Sequence, residues 1–248
     1  MIRLAHICRH PVKSIGFEEL ASAPLTQGRA LPFDREWAVA HDAAKFDVLV
    51  SWAPKMNFLR GVAGPNLMAI KAKLDEAARQ VTLSHPTAGS ITLCPDTDST
   101  VLMDWLRPLW PQDRPAPVRV VHLPGQAMTD WPDPFVAVLN AASNADLGHR
   151  MGVDLSIHRW RGNLWLDGLD AWDEWGLVGK TIRIGGSELR IEQRITRCKA
   201  TTVNPDTGIS DADTLGALQT FFGHQDFGTY AVVTKSGPIA IGDSVEVL

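Results

Sequence analysis

Apolar residues recur along this chain in short runs that mostly alternate with polar positions. The runs are "IRLAHIC", "REWAVAH", "LMAIKAKL", "RQVTLSH", "SITLC", "VRVVHL", "FVAVL", "NLWLDG", "KTIRIG", "ELRIEQRIT", "GTYAVVT" and "SVEVL". Period-two alternation predicts strands, and the Gly, Pro, Asp and Asn residues that bound most runs predict turns between them. Helical periodicity shows in three places. "DSTVLMDWLRPLW" offers Asp98 or Ser99 as an N-cap, "NAASNADLGHRM" follows, and "SDADTLGALQTFF" has an acidic start that suits the helix dipole. Many short strands with few helices predict a mainly β (α+β) fold of barrel-like sheets, not an alternating doubly wound sheet. Closely spaced prolines in "RPLWPQDRPAPVRVV", residues 107–121, interrupt both helix and ladder hydrogen bonding. They predict a boundary near residue 125, with domains at 1–125 and 126–248.

Composition narrows the classes. A chain of 248 residues with 45% hydrophobic content can bury a sizeable core without staples. Its net charge, 24 − 28 = −4, is spread without long runs of one sign, which argues against a nucleic-acid surface. Cys8, Cys94 and Cys198 are too few and too scattered for a disulfide framework, and "MIRLAHICRHPVKS" has no apolar signal core, so a reducing cytoplasm is the expected compartment. No apolar run approaches the ~20 residues that span a bilayer, so no membrane association is expected.

Two motifs are set aside. "EWGLVGKT" ends like a phosphate-binding loop, but Glu174 stands where the first glycine must let the backbone wrap a phosphate. No G-x-G-x-x-G follows a strand, so dinucleotide binding has no support. "HICRH" places His6, Cys8 and His10 at period two on one strand face; ligands ~7 Å apart cannot all reach one ion without a bend, so a mixed inward face is the expectation.

Cys198 stands in "ITRCKATTVNPDTG" between Arg197 and Lys199, cations that favour the thiolate form. In a regular strand both would project from the opposite face. "NPDTG" points to a break, with Pro205 removing an N–H, Asp206 able to bond backbone amides and Gly208 permitting positive φ. The local pattern fits a pocket thiolate and a buried structural cysteine equally.

"TRCKATTVNPDTG" resembles the signature of the MOSC domain, the molybdenum-cofactor sulfurase C-terminal family. "HPVKSIGFEEL", "FDREWAVAHD", "RWRGNLWLDG", "IGGSELRI", "DFGTYAVV" and "IAIGDSVEVL" are similar to further motifs of that family, in the same order along the chain. The architecture resembles that of the amidoxime-reducing group and its bacterial relatives, and implies an N-terminal MOSC-type β-barrel domain followed by the MOSC barrel. The resemblance weakens between residues 45 and 125, where "FDVLVSWAPKM" replaces a Thr-x-Arg segment. Gly162 stands for the usual proline, Asn204 for an aspartate and His10 for an aromatic.

The resemblance implies a molybdenum cofactor (Mo-molybdopterin) with Cys198 as metal ligand and catalytic centre, and two-electron reduction of N-hydroxylated compounds such as amidoximes and hydroxylamines. Lys13, Ser14, Arg35 and Arg161 match positions suited to the cofactor phosphate and pterin edge, and Asn163, Arg197 and the single tyrosine, Tyr230, match others near the cofactor. Asp133 and Ser143 are weaker candidates. "NPDTG" is expected to shape the pocket wall, and Lys199 to face solvent. Three scattered cysteines cannot furnish the four thiolates of a plant-type iron–sulfur cluster, so a reductase would draw electrons from a separate donor protein. The alternative function is cofactor binding or delivery, or sulfur carriage as a Cys198 persulfide.

Overall fold

The computed structural model describes all 248 residues. Fifteen strands and three helices follow in order: β1 Arg3–Arg9, β2 Glu18–Leu20, β3 Ser22–Leu25, β4 Trp37–His41, β5 Lys71–Asp75, β6 Gln80–His85, β7 Gly89–Leu93, α1 Ser99–Leu106 and β8 Pro117–His122. Then come β9 Val136–Asn140, α2 Ala141–Met151, β10 Leu164–Asp167, β11 Thr181–Ile184, β12 Ser187–Thr196, α3 Thr214–Phe222, β13 Asp226–Lys235, β14 Gly237–Ala240 and β15 Val245–Val247.

The largest sheet runs β15-β11-β12-β13-β9-β10-β1-β2. All its pairs are antiparallel except β9 with β10. Backbone bonds close it into a barrel: Leu4 N–H donates to Asp243 O at 2.9 Å, Gly242 N–H to Leu4 O at 2.8 Å, and Val245 N–H to Ile2 O at 3.0 Å. Alternation along the strands sends Val136 and Val138, Leu164 and Leu166, Leu189 and Ile191, and Ala231 and Val233 into one interior cluster with Leu4, Ile7, Ile182 and Ile184. The opposite face is covered too. Ala137, Leu139, Trp165, Ile195 and Phe227 pack outward with Leu147 of α2 and Leu218 of α3. This two-sided burial explains why β9 reads as an unbroken apolar run.

The second core is enclosed by two smaller sheets, β4-β8 and β5-β6-β7, and by α1, around Val12, Trp37, Val39, Leu67, Leu83 and Leu102. The expected boundary near residue 125 falls between β8 and β9, yet the large sheet draws on both sides of it: β1 and β2 belong to the barrel, and β3 pairs with β14. Neither β3 nor β14 follows from the hydrophobic pattern. Each contains a proline, and Pro24 sits directly opposite Pro238 in a two-stranded ribbon where a missing ladder donor is tolerated.

Three further differences have local causes. A bulge between Leu4 and His6 breaks the period of β1. Beyond it His6 pairs with Glu19 at 2.9 Å, Cys8, which lies opposite Glu19 in the ladder, joins the outer core, and only His10 leaves the strand, lying past its end against Asp34. "LMAIKAKL" splits into a 3-10 turn, Pro65–Ala69, and β5. The three helices form as the sequence predicts, capped by Asn140 onto Ala142 N at 3.0 Å and by Asp213 onto Gly216 N at 3.0 Å, whereas Asp98 caps no α1 amide and accepts from Cys94 N.

Removing residues 1–25 uncovers the barrel's contacts with Leu4, Ile7 and Leu25, each worth about 1.5–3 kcal/mol of burial. That loss approaches the ~5–15 kcal/mol that stabilises a typical domain. A fragment of residues 126–248 is therefore expected to show no cooperative thermal transition by circular dichroism, while the full chain shows one.

Candidate functional site

A cleft with a cavity of about 210 Å³ lies over the outer face of the barrel, where the N-terminal lobe packs across β9, β13 and the start of β10. Lys13, Ser14, Arg35, Arg161, Asn163, Arg197, Cys198 and Tyr230 all line it, so the fold gathers every principal residue expected from the sequence in one place. Counting the lining charges, seven cations (Lys13, Arg35, Lys55, Arg60, Arg159, Arg161 and Arg197) face one carboxylate, Asp130. The chain as a whole is acidic, so this local excess of positive charge is a property of the site.

Backbone conformation sets these side chains in place. Only six residues other than glycine adopt positive φ, and three of them line the cleft: Ser14 at 63°, Arg35 at 51° and Arg161 at 48°. Each costs on the order of 1 kcal/mol relative to ordinary backbone, and such conformations concentrate at functional sites. Ser14 follows the turn at the end of β1. Arg35 is clamped by its own N–H on His10 O at 2.7 Å and by Met128 N–H on its carbonyl at 2.7 Å. Arg161 ends a 3-10 turn, Ile157–Trp160, and Gly162 follows because a Cβ there would stand 2.1 Å from Leu139 Cδ1.

The cations are held chiefly by backbone carbonyls. Lys13 Nζ donates to Met128 O at 2.9 Å and to Asp130 at 2.5 Å; burial lowers its pKa, and the Asp130 carboxylate offsets part of that. Arg35 donates to Arg161 O at 2.8 Å and pairs with buried Asp34. Burial pushes the Asp34 carboxyl up, but Arg35 and His10 outweigh it and hold the group well below the usual carboxylate range. His10 is driven well below its ordinary value by burial and by Arg35 and Arg161, which keeps it neutral.

Arg197 donates to Phe227 O at 2.8 Å and Trp160 O at 2.7 Å. Burial lowers its pKa to about 10, and burial together with Arg35 lowers that of Arg161 to about 9. On both guanidinium groups Nη2 is buried and has no hydrogen-bond partner. Buried charged donors without acceptors are costly, so this cleft is built to receive an anion. Cys198 stands exposed on its lining, past the end of β12. Tyr230 stacks on Phe135, centroids 4.8 Å apart, and the pair forms a flat aromatic wall; burial raises the Tyr230 pKa.

Two expected residues act structurally as well as lining the cleft or instead of it. The Asn163 carboxamide accepts from Ala137 N at 3.0 Å and donates to Cys8 O at 3.1 Å, tying β9 to β1. Ser143 lies away from the cleft and donates to buried Glu174 at 2.7 Å, and exposed Asp133 does not line it either. The local carboxylate is Asp130, three residues earlier. "NPDTG" does not form the wall: Asn204, not Asp206, accepts the turn's backbone amide, from Asp206 N at 2.8 Å. Asp206 instead meets Lys71 at 3.3 Å, and Gly208 packs so tightly on Asn66 that a Cβ would come within 2.9 Å of its Cα. The turn thus docks the barrel onto the N-terminal lobe. Lys199 is exposed, as expected. Lys55, Arg60, Asp130, Arg159 and Trp160 were not foreseen; they lie in aperiodic connections that carry no pattern for a reader to follow.

Comparison with known proteins bears on the same half of the chain. The family model described as MOSC domain matches residues 128–246. Mitochondrial amidoxime-reducing component 1 of Homo sapiens is 33% identical over 132 residues, 46% of this chain and 37% of that protein. Mitochondrial amidoxime reducing component 2 of Bos taurus is 32% identical over 127 residues, 44% of this chain and 36% of that protein. The matched stretch thus spans little more than a third of these relatives' length. Among solved structures, the YuaD protein from Bacillus subtilis aligns over 100% of this chain and 96% of its own at 12% identity, with a TM-score of 0.46. Residues 128–246, which hold β9 to β14 and the Arg197–Cys198 pair, are thus the part of the chain that matches the MOSC domain model.

Proposed function

We propose that this protein binds a molybdenum cofactor in the cationic cleft and reduces N-hydroxylated compounds at a molybdenum held by Cys198, with electrons from a separate donor protein. The observation that carries this reading is the pair of buried, unpartnered guanidinium nitrogens on Arg161 and Arg197 in a cleft that also presents an exposed thiol. Those groups fit the cofactor: its phosphate needs several charge-assisted donors, its metal a thiolate, and its pterin a flat wall. No cluster of three His, Cys, Asp or Glu side chains suited to a metal ion occurs in the chain, so a metal here relies on Cys198 and on ligands brought by the cofactor.

When bound, the cofactor would supply the redox centre for two-electron reduction of an N–O bond, with the electrons coming from the donor protein. The chain does the rest. Lys13, Ser14, Arg35 and Arg161 would hold the phosphate, and Arg197, fixed by two carbonyls, precedes Cys198, the residue that would ligate the metal. Phe135 and Tyr230 confine the pterin, and Asn163 fixes the strands beneath it. Relatives named for amidoxime reduction support this reaction class. No helix is long and apolar enough to cross a membrane.

Two measurements test the reading. Cys198→Ser is expected to abolish reduction of benzamidoxime and to lower bound molybdenum while leaving the circular dichroism spectrum unchanged, whereas Cys94→Ala keeps full activity. Full molybdenum loading without turnover in the wild type would instead favour cofactor delivery or a Cys198 persulfide. Arg161→Ala removes a charged donor worth about 1.5–3 kcal/mol to a bound anion. Pterin fluorescence per mole of purified protein should fall accordingly, and undiminished pterin content would count against the phosphate assignment.

A further inference from the structure

Several segments bring cations to the cleft. Lys13, Ser14, Arg35 and Arg161 converge from three strained turns. At the Cys198 end, the segment after β4 meets the segment after β12: a Cβ on Gly61 would stand 3.4 Å from Ala200 Cβ, two residues beyond Cys198. Arg60, immediately before Gly61, therefore lies at the Cys198 end. Its backbone is pinned on both sides, because Leu59 N–H bonds Val39 O at 2.9 Å while Ala63 and Gly64 N–H both bond Arg60 O, at 2.9 and 3.0 Å.

The charge there is uncompensated. Asp130 is the single carboxylate lining the cleft, and it is taken by Lys13 at 2.5 Å and Lys55 at 3.2 Å, which leaves Arg60 without an acidic partner in the cleft. A second guanidinium lines the same cleft. Arg159, only 3% exposed, pairs with Asp211 at 2.6 Å and reaches Thr202 O at 3.3 Å, but its Nε is buried with no partner. Arg197, whose Nη2 is also unpartnered, immediately precedes Cys198 in the chain. An anion at this end would meet donors that nothing in the chain satisfies.

We infer that Arg60, supported by Arg159, forms an anion subsite at the Cys198 end of the cleft that selects substrates carrying a carboxylate beside their N-hydroxylated group. This rests on the reductase reading above for the reaction, though not for the anion. A guanidinium recognises a planar carboxylate through paired donors, a geometry a neutral analogue cannot use. The cofactor phosphate is the competing occupant, and the test separates the two.

The first measurement titrates the purified protein with benzoate and with benzamide, following its tryptophan fluorescence; Trp131 and Trp160 line the cleft. Benzoate is expected to bind about tenfold more tightly, as one charge-assisted contact supplies. Arg60→Ala should remove that preference and Arg60→Lys should keep part of it. The second compares benzamidoxime with its para-carboxylate under a chemical reductant. Arg60→Ala should raise KM about tenfold for the carboxylate alone, with kcat and pterin content unchanged. Benzoate preference that survives Arg60→Ala, an equal loss on both substrates, or lost pterin content would overturn the subsite. Turnover of neither substrate with the benzoate preference intact would overturn the reductase reading and leave the subsite standing.

Discussion

Like-charge repulsion is the constraint around which this molecule is arranged. Burial, Arg35 and Arg161 all push the pKa of His10 down, and burial together with Arg35 lowers that of Arg161. The protein places only one carboxylate in the cleft, Asp130, which is taken by Lys13 and Lys55, since more would compete with an incoming anion. It answers with main-chain carbonyls, at Met128, Arg161, Trp160 and Phe227, and with one buried aspartate, Asp34, set behind Arg35. Carbonyl dipoles fix a guanidinium in place without cancelling its charge. On Arg161 and Arg197, both of which line the cleft, one nitrogen is left without a partner, a costly state that a bound anion would relieve.

That arrangement explains the unusual traffic of the chain between its two cores. Carbonyls and strained turns from residues 10–16, 33–37, 128–131 and 157–163 must meet over one face of β9, β13 and β10. Neither core contains all of them. The outer face of the barrel therefore carries an apolar cover under α2 and α3 along part of its length and a polar cleft under the N-terminal lobe along the rest. Asn163 sits at the division, and its carboxamide joins strands from opposite ends of the sequence.

The strands were legible in the residues alone, since alternating apolar runs mark them. Lys13, Ser14, Arg35 and Arg161 were legible only through the resemblance to the MOSC family, because each taken singly has the pattern of an exposed polar residue. The failures are instructive because each involves a long-range contact. β3 and β14 hide behind prolines that are harmless only because each faces the other. The bulge between Leu4 and His6 leaves no trace in the pattern, nor does the end of β1 at Arg9 that sets His10 apart from His6 and Cys8. "NPDTG" has every property of a pocket turn and serves as a dock between lobes, since what it touches, Asn66 and Lys71, lies more than a hundred residues earlier. Lys55 and Arg60 fall in a stretch without periodicity, and only the packing of Gly61 near Ala200 brings that stretch to the cleft.

The closure of the barrel also has a temporal side. Leu4 finds its backbone partners at Gly242 and Asp243, more than two hundred residues further along the chain. Until those residues emerge, the start of β1 lacks these partners. Loop closure over that separation must precede the reward of the pairing, which makes slow, late barrel completion an inherent feature of the topology. During synthesis the β5-β6-β7 sheet, whose strands pair with near neighbours in sequence, can consolidate first.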